Sequence, residues 1–150
     1  MIVEKLAGAS GSFNQGIYSV SDTEHDVIRI LKLLPTEAMF AGYAKREVEI
    51  LSNLRHCNIV EFYDGQFFAP EHLHAVPWLV TAYCQEVTLE RVMSAWNKKR
   101  QLIPEPFDWQ VFESLCSAVH YMHHGPEPHV STAAWSAVSH RNIIPSNIFL

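Results

Sequence analysis

The sequence predicts an α+β fold: an antiparallel sheet of about five strands packed on helices. Three observations carry that expectation. Short apolar runs bounded by turn residues fill the first third of the chain, helical periodicity takes over in two long stretches (Thr36 to Leu54 and Asp108 to His124), and no internal repeat is present. At 150 residues, 48% hydrophobic and 18% charged, the chain has the make-up of one globular domain with its own core.

The first two strands are expected at Ile2 to Leu6 and Ile17 to Val20, joined as a hairpin by a segment carrying Gly8, Gly11 and Gly16. The run "VIRILKLL", Val27 to Leu34, is apolar on both faces and predicts a central strand. Lys32 lies inside it, and it either snorkels to water at the strand end or requires an anionic partner. Pro35 closes the strand. In the helix that follows, Phe40, Tyr43, Glu47, Leu51 and Leu54 recur at helical spacing, so Glu47 is an acid in an apolar stripe. It is either an exposed edge residue or the anion Lys32 needs.

A strand from Ile59 to Tyr63 is expected to turn at Asp64-Gly65, because an Asp-Gly pair favours tight hairpin turns. "WLVTAYC", Trp78 to Cys84, predicts a further strand, and Leu89, Val92, Met93 and Trp96 place a short helix between Thr88 and about Asn97. Pro104 and Pro106 read as a connection, with Asp108 as N-cap of a second long helix. Its stripe is Val111, Phe112, Leu115, Val119 and Met122, and it stops at Gly125. Pro126 to Ser139 reads as a loop.

Eleven Lys and Arg against sixteen Asp and Glu give a net charge of -5, and the densest basic cluster is "NKKR" at Asn97 to Arg100. That is no footprint for nucleic acid or an anionic membrane surface. The longest apolar run, Ala75 to Val80, contains a proline and is far short of the roughly 18 residues a membrane span needs. With no basic, apolar and small-residue order of a secretory leader, and with Cys57, Cys84 and Cys116 widely spaced, the sequence predicts an intracellular, cytoplasmic or nuclear protein with reduced thiols. His120, His123, His124 and His129 have no acidic or cysteine ligand beside them at a recognised metal spacing, and are expected to face solvent or the helix end.

Taken in order, these residues resemble the eukaryotic-type Ser/Thr protein kinase domain from about Glu4 to Leu150. "REVEILSNLRHCNIVEFYD" resembles that family's helix C, with Glu47 as its glutamate, and the strand that follows it. "RILK" resembles the family's strand with the "VAIK" lysine, here Lys32; "WLVTAYC" resembles the fifth strand and the hinge, with Thr81 as gatekeeper and Tyr83 and Cys84 in the hinge. "HRNIIPSNIFL" resembles the catalytic loop H-R-D-L-K-P-x-N.

The resemblance implies residues 1–84 as an N-terminal lobe with the start of the hinge, and 85–150 as the first helices of a C-terminal lobe left incomplete after the catalytic loop. It implies ATP contacts at Gly11, Ser12, Phe13, Lys32, Glu47, Thr81, Tyr83 and Cys84, and Mg2+ at Asn147. His140, Arg141 and Asn142 then fall in the catalytic positions.

The same comparison exposes departures. The segment "AGASGSFNQG" does not keep the G-x-G-x-x-G spacing, with Gly11 in the middle position, Gly8 or Ala9 in the first and Asn14 in the third, and glycines at those positions are what let backbone amides approach phosphate. Asn142 stands where the base aspartate belongs and Ile144 where a lysine belongs. An amide cannot take a proton near neutral pH, and isoleucine brings no positive charge to a phosphoryl group. The expectation is therefore a degenerate, truncated kinase-like domain with weak or absent ATP and Mg2+ binding and lost phosphotransfer; the alternative is part of an active Ser/Thr kinase. A further expectation is a protein partner over an exposed helix 108–124.

Overall fold

The computed structural model describes residues 2–6, 15–22, 27–35, 37, 42–67, 76–85, 87–126 and 135–150, which form two compact units. The first comprises residues up to Arg55 together with Val60–Tyr83, and the second His56–Ile59 with Cys84–Leu150.

The first unit is built on an antiparallel five-stranded sheet. Strands β1 (Ile2–Lys5), β2 (Gly16–Asp22), β3 (Val27–Leu33), β4 (Phe62–Gln66) and β5 (Trp78–Ala82) are arranged in the order β1-β2-β3-β5-β4. The strand expected to be central, β3, is the middle one: it pairs with β2 through Gly16↔Leu33 to Asp22↔Val27 and with β5 through Arg29↔Ala82 to Leu33↔Trp78.

Helix α1 runs Tyr43–Asn53, and Gly42 before it has φ 74°, a left-handed conformation that no α-helix passes through. Thr36 and residues 38–41, with the expected Phe40, lie outside the described residues. The buried face of α1 differs from expectation. Ala44 and Val48 are buried while Tyr43 is exposed, so the stripe is rotated and Glu47 lies at its edge. Ala44 and Val48 join Leu34 and Leu79 in the core, with Phe62 packed against them.

Asp64-Gly65 is not a turn. The two residues sit within β4, and the register slips between Phe62↔Thr81 and Asp64↔Val80, leaving Tyr63 as the extra residue of a bulge. Space beside that bulge is tight: a Cβ on Gly65 would lie 3.0 Å from the Phe62 ring and 3.2 Å from the Trp78 carbonyl oxygen.

In the second unit, helix α2 (Leu89–Lys98) is capped by Thr88, whose hydroxyl accepts from the Arg91 amide at 3.4 Å. The chain's last residues return to this cap: Leu89 N–H donates to the Ile148 carbonyl at 2.8 Å and Leu150 N–H to that of Val87 at 3.3 Å. Helix α3 runs Glu105–His124, starting three residues before the expected Asp108 cap. Pro106 falls in its first turn, where the missing N–H breaks no helical bond, so the Pro-rich stretch is helix and not connection.

The α3 stripe is not uniformly exposed, contrary to expectation. Phe112 is 58% exposed, but Val111, Leu115 and Val119 are half-buried and Met122 is buried with Ala118 and Tyr121. Two segments cover that face. In one, the His56 ring lies 5.1 Å from Tyr121, His56 Nε2 is 3.1 Å from Ser117 Oγ, and Asn58 Nδ2 donates to the Ser114 carbonyl at 3.1 Å. In the other, Trp135 packs on Tyr121 and its Nε1–H donates to the Met122 carbonyl at 3.0 Å. Gly125 ends the helix as expected, at φ 84° and ψ -175°, a region open essentially to glycine alone. Among the described residues no helix is long and apolar enough to cross a membrane.

Candidate functional site

On β3, Lys32 has Ile17 and Leu79 as its cross-strand neighbours. Directly paired residues project to the same side of a sheet, so Lys32 shares the face on which Leu79 is buried. Helix α1 brings Glu47 to that face beside the buried Ala44 and Val48. The Lys32 ammonium donates to Glu47 Oε1 at 2.6 Å, and both side chains stay partly open to solvent, 23% and 34% exposed. Each oddity in the sequence thus has its partner in the other. Two residues along the strand, on the same face, Ile30 pairs with Thr81, which is buried and whose hydroxyl lies 3.4 Å from the Ala82 carbonyl.

Tyr83 is exposed, whereas Cys84 is half-buried and burial pushes its thiol pKa above the ordinary range. Gly11, Ser12 and Phe13 lie outside the described residues.

A second charged residue of the central strand escaped the sequence reading. Arg29 stacks over Tyr63, its Cζ 3.9 Å from the ring centroid, and the Tyr63 hydroxyl donates to Glu61 at 2.8 Å. The bulge in β4 is what turns Tyr63 toward this position. The signal was available, because a guanidinium in an apolar strand raises the same question as Lys32. The accepting Glu61 carboxylate, with some burial and its negative charge, holds the Tyr63 phenol above its ordinary pKa, against the opposite pull of Arg29.

In the second unit, His140, Asn142 and Asn147 are brought together within one loop. The Asn142 amide N–H donates to His140 Nδ1 at 3.2 Å, and Asn147 Nδ2 donates to the Asn142 carbonyl at 3.1 Å. Between them Arg141 adopts φ 62°, a left-handed conformation uncommon outside glycine, and a short 3-10 turn, Pro145–Asn147, closes the loop. His140, Arg141, Asn142 and Ile144 are all exposed. The loop therefore presents a histidine, a guanidinium and two carboxamides, but no carboxylate between His140 and Leu150.

A lysine held by a helix glutamate on the central strand, with an ordered His-Arg-Asn loop downstream, is accompanied by a match of residues 7–150 to the protein kinase domain family. The chain belongs to that family. Among curated relatives, this kinase domain is 33% identical over 120 residues to the G2-specific protein kinase nim-1 of Neurospora crassa, covering 69% of this chain and 14% of that protein. It is 29% identical over 150 residues to the inactive serine/threonine-protein kinase PLK5 of Mus musculus, covering 97% and 22%. To the serine/threonine-protein kinase Nek2 of Mus musculus it is 32% identical over 104 residues, covering 69% and 21%. The chain thus spans 22% or less of the length of these three relatives. The crystal structure of the PknI kinase domain of Mycobacterium tuberculosis superposes with a TM-score of 0.72 at 19% identity, covering 99% of this chain and 54% of that one, which establishes the kinase fold.

Proposed function

We propose that this kinase domain is a degenerate member of the Ser/Thr type, one that binds ATP weakly at best and does not transfer phosphate. The observation that carries the reading is Asn142. Its carboxamide is exposed in the position matched to the family's base, and it has no lone pair basic enough to accept a hydroxyl proton. Ile144 adds no positive charge for the phosphoryl group. Asn147 keeps an amide oxygen where the family's magnesium-binding asparagine stands.

Lys32 fits a nucleotide better. Its ammonium is fixed by Glu47 and partly open to solvent, as a group meeting phosphate oxygens has to be. This retained pair favours the second reading, part of an active Ser/Thr kinase, while the relative whose name declares it inactive supports the first.

The test is titration of the purified chain with ATP analogues, with and without Mg2+, beside radiolabelled phosphate transfer by wild type and Asn142→Asp. We expect weak or undetectable binding and no transfer by either protein. Transfer by the wild type, or a low-micromolar affinity worth about -8 kcal/mol, would overturn the reading. Transfer by Asn142→Asp alone would reduce the degeneracy to that one side chain.

A further inference from the structure

The last turn of α3 carries a pair of side chains that the kinase reading leaves unused. His120 and His124 are four residues apart, so they share one face of the helix. Both are exposed, and their rings lie 4.6 Å apart, centroid to centroid, at an interplanar angle of 38°.

We propose that His120 and His124 form a two-histidine chelate for a borderline divalent transition-metal ion, with Zn2+ as its representative. Imidazole nitrogen binds such ions at about 2.0–2.1 Å, which places two nitrogens on one tetrahedral ion roughly 3.3 Å from each other. With their centroids 4.6 Å apart, the two rings are near enough for one nitrogen of each to meet a common ion.

Two features of the fold support the assignment. The pair sits at the C-terminal end of a 20-residue helix, whose macrodipole presents partial negative charge and favours a cation. That end is also held in place by the Trp135 indole and the Val138 amide, both donating to the Met122 carbonyl, so the two ligands stand on a fixed backbone.

Among the described residues no three His, Cys, Asp or Glu side chains are gathered for one ion, so the described residues supply two ligands, His120 and His124. Water, or a donor atom from another molecule, completes the coordination sphere. His123 is adjacent in sequence but stands edge-on to His124 with its ring 6.3 Å away, pointing off the shared face. Cys116 is one turn before His120 and two turns before His124, out of reach of an ion held by both rings. The site also differs in kind from a Mg2+ site: it offers nitrogen, where Mg2+ takes oxygen.

The test uses the whole chain and Zn2+, titrated calorimetrically into the wild type and the variants His120→Ala, His124→Ala, His123→Ala and Cys116→Ser. One ion per chain is expected, with affinity falling at least about ten-fold in His120→Ala and in His124→Ala and staying within about two-fold in the other two. Mg2+ in excess is expected not to compete. In the wild type, the imidazole resonances of His120 and His124 should shift together as Zn2+ is added, a readout that needs no variant to fold. Wild-type affinity in both alanine variants, loss of binding in Cys116→Ser or His123→Ala, or unshifted His120 and His124 resonances at saturation would each overturn the assignment.

Discussion

Lys32 and Glu47 each break an apolar pattern, and their pairing at 2.6 Å accounts for both. Because both groups remain partly exposed, the pair contributes modestly to stability, and a double-mutant cycle with Lys32→Ala and Glu47→Gln in urea should return a coupling of about 0.2–1 kcal/mol. Its larger effect is expected on the titration with ATP analogues, where either substitution should abolish what binding there is. Tyr63 allows a pH experiment. Its phenol is raised above 10.0 first by donating to Glu61, then by burial and the Glu61 charge. A raised folded-state value means that the stabilisation is complete below pH 10.0 and is lost as pH rises through the folded value. Urea denaturation at stepped alkaline pH should show stability falling above pH 10.0, and Tyr63→Phe should flatten that fall. An unchanged slope in the variant would count against the Glu61 hydrogen bond as its origin.

At the level of elements, Gly125 is the position where a substitution should cost most for its size. An alanine there has to hold φ 84° and ψ -175° and to place a Cβ 2.9 Å from the Trp135 ring. We expect Gly125→Ala to destabilise the chain by about 1–3 kcal/mol in chemical denaturation, with quenching or shift of Trp135 fluorescence as the indole is displaced. That glycine, the strands around Lys32 and the short helix after Thr88 were legible because local chemistry dictated them. Asp64-Gly65 misled because the same dipeptide serves a hairpin turn or a bulged strand, and the pairing of Asp64 with Val80 and Gly65 with Leu79 decides between them. The start of α3 misled because prolines mark connections and first helical turns alike. Trp135 and His56 lie outside α3, on either side of it in sequence, and no periodicity announces that they cover it. For the site, the residues that violate a pattern were readable, whereas the loop geometry that joins His140, Asn142 and Asn147 depends on backbone turns that residue types alone do not specify.

For the molecule as a whole, the order β1-β2-β3-β5-β4 has a consequence in time. β2 and β3 are neighbours in sequence and can zip together as a hairpin, but β3 meets β5 only by closing a long loop, with Arg29 paired to Ala82 across 53 positions (82 − 29). Loop closure is entropically unfavourable before its contacts form, so local pairings lead and distant ones follow. Pulse-labelled hydrogen exchange during refolding should therefore protect the β2–β3 amides before those linking β3 to β5, and simultaneous protection would refute that order. Since Lys32 stands on β3 and Thr81 on β5, the half of the sheet that carries the lysine is built early, and the threonine beside it arrives with the slowest step.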